Sequence, residues 1–235
     1  MRNITQISWD KMSIAENIEI IRKQVQNSAI KAGRDPGDIK IIAVTKYTGV
    51  EQMNEAIRAG VTDIAENRIQ DAHEKFPSIE GAVTKHLIGT LQTNKVKSAI
   101  LEFDLIHSVD RVELVEALAK EALKLGRQVK CLVQLNISGE VTKHGIGPAD
   151  LGPILEKVDS LSNLTPMGLM TMAPFVDDPE QVRPIFRRLK NLFTEYAGKR
   201  DENWRYLSMG MSQDYQVAVE EGSNMVRIGT AIFKS

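Results

Sequence analysis

The chain has 235 residues, 42% of them hydrophobic, and its 30 Lys and Arg nearly balance its 31 Asp and Glu for a formal charge of −1. That balance argues against a polyelectrolyte partner such as nucleic acid, and a single cysteine, Cys131, excludes a disulfide framework. The polar start MRNITQISWDKMS lacks the apolar segment of a secretory signal, and no run reaches the roughly 18 apolar residues of a membrane-spanning helix; a soluble cytoplasmic protein without a membrane partner is expected.

In chain order, Ile14, Ile18, Ile21, Val25 and Ala29 recur at helical spacing and predict an amphipathic helix over about 8–32, with Gly33 near its stop. After the turn DPGD, short apolar runs predict eight strands: 39–45, 61–66, 85–89, 104–109, 129–137, 164–170, 205–210 and 225–229. Between them lie segments of helix chemistry, among them VEQMNEAIRAG, DRVELVEALAKEALKLG and DPEQVRPIFRRLKNLFTEYAG. Eight β/α alternations predict an α/β fold, a closed (β/α)8 TIM-type barrel forming a single domain over 1–235. Only TAIFKS follows the last strand, too little for a full eighth helix, so the N-terminal helix is expected to cover that part of the barrel. An open doubly wound sheet is the alternative, but no G-x-G-x-x-G follows the first strand. Cys131, in the apolar run VKCLVQLNI, reads as a small buried hydrophobe.

In a barrel of this kind the C-terminal strand ends converge on one mouth. Lys46 ends the first strand in IIAVTKYTG; it is either a surface lysine or an amine that condenses with a carbonyl group. Glu66-Asn67-Arg68 follows the second strand and Ser208 to Ser212 the seventh, with Arg227 to Thr230 at the end of the eighth. The opposite ends show no comparable group. Gly229 and Thr230 precede a single turn, AIFK, whose free N–H groups suit an anion, and Ser208 and Ser212 add hydroxyl donors. A lysine plus a phosphate cradle suggests pyridoxal 5′-phosphate (PLP). Arg227, always charged, would oppose protonation of a pyridine nitrogen and leave the ring a weaker electron sink.

The stretches AVTKYTGVEQMNEAIRAGV, AENRIQDA, HLIGTLQTNK, IHSVDR, VQLNIS, KHGI, GLMTM, LSMGMSQDY and GSNMVRIGTAIF, spanning 41 to 233, resemble the pyridoxal phosphate homeostasis protein family. The resemblance implies a barrel like the N-terminal domain of alanine racemase (PLP fold type III), with PLP held as an internal aldimine on Lys46 and Asn67 beside the ring. It also implies Arg227 near the pyridine nitrogen and phosphate-binding segments containing Ser208, Gly210, Ser212, Gly229 and Thr230. By the same resemblance the chain is a monomeric carrier without established turnover, acting in vitamin B6 homeostasis and amino-acid/keto-acid balance and making transient contact with PLP-dependent apo-enzymes. Ala65, Asn224 and Lys234 depart from the family's usual Gly, Thr and Gly.

A racemase would need acid/base groups on both faces of the substrate carbon; Tyr47 and Tyr215 are the candidates opposite Lys46. A Schiff-base aldolase acting on a sugar phosphate is a further alternative. His73, His86, His107 and His144 are scattered without metal-ligand spacing, and His86 and His107 read as strand-end hydrogen-bonding residues. Lys143 offers a second amine near the mouth that could accept PLP transiently during release.

Overall fold

The computed structural model describes residues 12–140 and 143–234. Its strands are β1 (Lys40–Val44), β2 (Asp63–Glu66), β3 (Thr84–Leu87), β4 (Leu105–Val109), β5 (Val129–Leu135), β6 (Leu164–Thr171), β7 (Tyr206–Ser208) and β8 (Met225–Ile228). The helices are α1 (Ile14–Lys31), α2 (Val50–Arg58), α3 (Ile69–Lys75), α4 (Val96–Glu102), α5 (Val112–Leu125), α6 (Leu151–Asp159), α7 (Arg183–Ala197), α8 (Tyr215–Glu220) and α9 (Thr230–Phe233). The strands close in sequence order into a parallel barrel, with β8 pairing back to β1. Among the described residues, no helix is long and apolar enough to cross a membrane.

The N-terminal helix starts later than its apolar spacing suggests. Ser13 caps it by accepting the Glu16 N–H, and Glu16 returns a carboxylate to the Ser13 N–H and hydroxyl. This reciprocal box, legible as SIAE, satisfies amides that the first turn leaves unpaired, so Met12 and Ser13 are not helical. The expected start at 8–11 lies outside the described residues. α1 packs against α2, α8 and α9. Asn17 Nδ2 donates to the Ile232 carbonyl at 3.0 Å, and the Tyr215 hydroxyl bonds Gln24.

Alternation along the strands separates two apolar layers. Ile42, Val44, Ala65, Leu105, Leu132 and Met225 pack inside the barrel, while Ala43, Ile64, Ile106 and Val226 face the helices. The pattern continues into polar positions. Asp63, His86, His107, Ser208 and Arg227 share the parity of Ala65, Leu105 and Met225 or connect directly to residues that do. Lys46 and Asn67 lie two positions beyond the inward-facing Val44 and Ala65.

Cys131 is fully buried, and burial pushes its thiol up to about 12. The thiolate, not the thiol, is the nucleophile. A thiol reagent at neutral pH is therefore expected to leave the native protein unmodified and to react once denaturant unfolds it; rapid labelling of native protein would contradict the burial.

Candidate functional site

The end of β1 is held by an ion pair between a fully buried carboxylate and a partly exposed lysine. Glu66, with no solvent exposure, accepts from Thr45 Oγ1 at 2.7 Å and from Lys75 Nζ at 3.0 Å. Lys75 also donates to the Thr45 carbonyl at 3.0 Å, so the backbone immediately before Lys46 is tied to β2 and to the last turn of α3. Lys46 itself is half-buried and makes no ion pair with a described residue; its Nζ lies 5.1 Å from the Tyr47 ring centroid. Lys46, Asn67, Arg68, Asp71 and Lys75 line one cavity of about 530 Å³.

Gly89 sets the position of Asn67. A Cβ at residue 89 would lie 2.1 Å from the Asn67 carbonyl oxygen, far inside contact distance. Because the obstruction is backbone, Gly89→Ala must displace Asn67 or its own loop. Overpacking of this kind costs about 1–3 kcal/mol; the expected result is a lower denaturation midpoint together with weaker ligand binding at the mouth, both readable on one purified variant.

On the β8 side of the mouth, next to β1, the loop after β7 meets the start of α9. Gly210 has φ +94°, and a Cβ there would meet Ala218 Cβ at 2.6 Å, so glycine allows α8 to close against this loop. The Gly210 carbonyl accepts the Arg227 N–H at 3.0 Å. Asp214 accepts the Met211 N–H at 2.6 Å, and Ser212 Oγ accepts the Ala231 N–H at 3.3 Å, which links this loop to α9. Gly229 stands at the cap position of α9, packed on Val44, and Thr230 is exposed. The pairing Ala43↔Ile228 brings this corner beside Lys46.

Ser208 does not join that corner as a free donor. It is fully buried, and its Oγ lies 3.0 Å from His107 Nδ1 and 2.6 Å from Arg227 Nη1. Its parity as the last residue of β7 turns it inward. Arg227 is 3% exposed, and its Nη2 donates to the Thr171 carbonyl at 2.9 Å. Burial lowers its guanidinium to about 10, with Asp214 opposing, so it stays charged at neutral pH.

The two strand histidines hydrogen-bond as expected, but from within their strands rather than at the ends. His86 and His107 lie inside the barrel, Nδ1 to Nε2 at 2.9 Å, and His86 Nε2 is 3.0 Å from Asp63 Oδ1. The floor is not bare either: Lys40 Nζ sits 3.4 Å from Asp63. Burial raises the Asp63 carboxyl, but hydrogen bonds from His86 and Thr62 and the charge of Lys40 outweigh it and leave the group below its ordinary value. Sequence spacing hid this group because its members sit on different strands. Among the described residues no cluster of three or more His, Cys, Asp or Glu could hold a metal ion. Tyr215 bonds α1, away from the mouth, and Tyr47 is 92% exposed, so neither is set opposite Lys46.

Burial, reinforced by the Arg227 charge, holds His107 neutral, well below its ordinary 6.5. The unfolded chain protonates this histidine near 6.5 and the folded chain does not, so below that pH the unfolded state binds more protons. Stability is expected to fall by about 1.4 kcal/mol per pH unit from there toward the folded-state value, with no contribution above it. Denaturant midpoints at descending pH should show this slope, and His107→Gln should flatten it.

A closed parallel barrel with a lysine two residues past its first strand, without an ion-pair partner among the described residues, and a buried arginine on its last strand defines a class, and the family model described as alanine racemase, N-terminal domain matches residues 10–235. The pyridoxal phosphate homeostasis protein of Aquifex aeolicus is 36% identical over 223 residues, covering 94% of this chain and 98% of that one. PipY of Synechococcus elongatus, solved with PLP bound, is 33% identical with a TM-score of 0.82, over 94% of this chain and 100% of that chain. The chain belongs to the pyridoxal phosphate homeostasis proteins, within the alanine racemase N-terminal domain family. Alanine racemase of Clostridium difficile, 16% identical with a TM-score of 0.72 over 93% of this chain and 59% of that one, shares the fold. The relatives are named as homeostasis proteins rather than as enzymes.

Proposed function

We propose that this chain binds PLP at the C-terminal mouth of its barrel and serves in intracellular vitamin B6 homeostasis, as a monomeric carrier that buffers the cofactor and delivers it by transient contact with apo-enzymes. The observation that carries the reading is Lys46: an amine without an ion-pair partner among the described residues, opening on a cavity, beside the strand that carries a buried arginine. The donor set fits the group. PLP supplies an aldehyde that condenses with a primary amine, and its phosphate needs donors.

Lys46 supplies the amine. Asn67, fixed against Gly89, flanks the ring position. Ser212, Gly210, Gly229 and Thr230 frame the corner where backbone N–H groups of α9 would meet the phosphate. Arg227 presents only donors, which disfavours a proton on any ring nitrogen facing it. Ser208 acts behind Arg227 rather than at the phosphate. Lys143, half-buried in the loop after β5, is the proposed transient acceptor during release.

Visible absorbance titration with PLP tests this reading, with pyridoxal as the control lacking phosphate. Saturation at one PLP per chain, with much weaker binding of pyridoxal and no racemisation of an amino-acid panel, is the expected result. Absence of a saturable change would overturn the binding, and sustained turnover would replace the carrier with an enzyme.

A further inference from the structure

Five buried side chains from five strands stand in single file through the barrel. Arg227 Nη1 donates to Ser208 Oγ at 2.6 Å; Ser208 Oγ lies 3.0 Å from His107 Nδ1. His107 Nε2 is 2.9 Å from His86 Nδ1, and His86 Nε2 is 3.0 Å from Asp63 Oδ1. None of the five is more than 3% exposed. The contact between β7 and β4 crosses the interior, since those strands are not neighbours in the sheet.

The ends of this file, with one proton on each histidine, set its direction. An ionised Asp63 only accepts, so His86 Nε2 carries a proton; if that is the only proton on the ring, its bare Nδ1 is served by His107 Nε2–H. His107, held neutral by its burial, in turn has a bare Nδ1, and the Ser208 hydroxyl donates to it. Arg227, which only donates, closes the file on the Ser208 lone pair. One proton sits in each junction, and every donor points from the mouth toward the floor. Ser208 therefore has no hydroxyl proton left for the mouth. Arg227 is held by two neutral acceptors, Ser208 Oγ and the Thr171 carbonyl, with no carboxylate in direct contact among the described residues.

We propose that Asp63, His86, His107 and Ser208 are positioning residues for Arg227, orienting its guanidinium and spending the Ser208 proton inward, so that a ring nitrogen facing Arg227 meets a fixed cation and no mobile proton. This rests on the PLP reading above. A core that needed only filling would do as well with apolar side chains, because buried polar groups cost stability unless each is paired; here each is paired in one direction that ends at the mouth.

The test has two arms. Nitrogen NMR of histidine-labelled protein without cofactor reads the tautomers directly. Both His86 and His107 are expected to carry their proton on Nε2 with a bare Nδ1; the opposite tautomers, or protons on both nitrogens of His86, overturn the direction. In the second arm, Asp63→Asn keeps the shape but lets either hydrogen-bond direction form. Its expected signature is a mixture of tautomers, a shifted absorption maximum of bound PLP and binding weaker on the order of tenfold, while borohydride still fixes the cofactor on Lys46. Ser208→Ala breaks the file at its other end and should shift the same spectrum, which keeps the test alive if Asp63→Asn does not fold. An unchanged spectrum and affinity in both variants would make the file ordinary core pairing. If the wild-type protein takes no PLP, the cofactor reading fails and the role toward a ring falls with it, even where the tautomers agree.

Discussion

Lys46→Ala is expected to leave the fold intact and to abolish lasting retention of PLP. The side chain is half-buried and makes no ion pair among the described residues, so its removal should change stability by no more than about 0.5 kcal/mol. Binding should suffer far more. The amine is the only covalent anchor that the reading assigns, and what remains are polar contacts at the α9 corner and Arg227. A loss of at least on the order of a hundredfold, about 2.7 kcal/mol, is expected in an absorbance or fluorescence titration. Retention near wild-type strength would place the anchor elsewhere.

Lys75→Met should do the reverse. Lys75 is nine residues from Glu66 in sequence and 3.0 Å from it in space, and Glu66 is without solvent exposure. Removing one partner of a fully buried pair costs about 3–5 kcal/mol; Lys75 is partly exposed, so the loss belongs at or below the low end of that range, and it also strips the Thr45 carbonyl of a donor. A steep drop in the urea midpoint is expected. Replacing both partners separates the pair's charge from its packing: Lys75→Met combined with Glu66→Leu should recover most of the loss, because Thr45 Oγ1 still reaches the Ala65 carbonyl at 3.1 Å. A single variant as stable as wild type would show that the Lys75–Glu66 pair adds nothing to stability.

The barrel was legible because its signals are local. Alternating apolar runs and helical stripes repeat eight times, and each strand of the structure falls on or within a residue or two of a predicted run. The mouth followed from topology, and Lys46, Asn67, Ser212, Gly229 and Thr230 do lie at the C-terminal strand ends or the loops beyond them. Ser208 and the histidines resisted for a different reason. Whether a serine near a strand end faces inward depends on where that strand stops, and 205–210 ends two residues later than Tyr206–Ser208. The contact of His107 with Ser208 spans 101 positions and the barrel interior; no periodicity carries it. The Glu66–Lys75 pair left a fainter trace, a strand-end carboxylate followed by a cation in the last turn of the next helix, which is common enough to pass unnoticed.

The central claim is that the strand ends in lysine because its amine anchors PLP. Borohydride reduction of the wild-type protein incubated with PLP, followed by peptide mass mapping, tests it most directly. The expected product is one cofactor mass per chain, on the peptide that contains Lys46. No fixed mass, or a mass spread over several surface lysines with Lys46 unmodified, would contradict it.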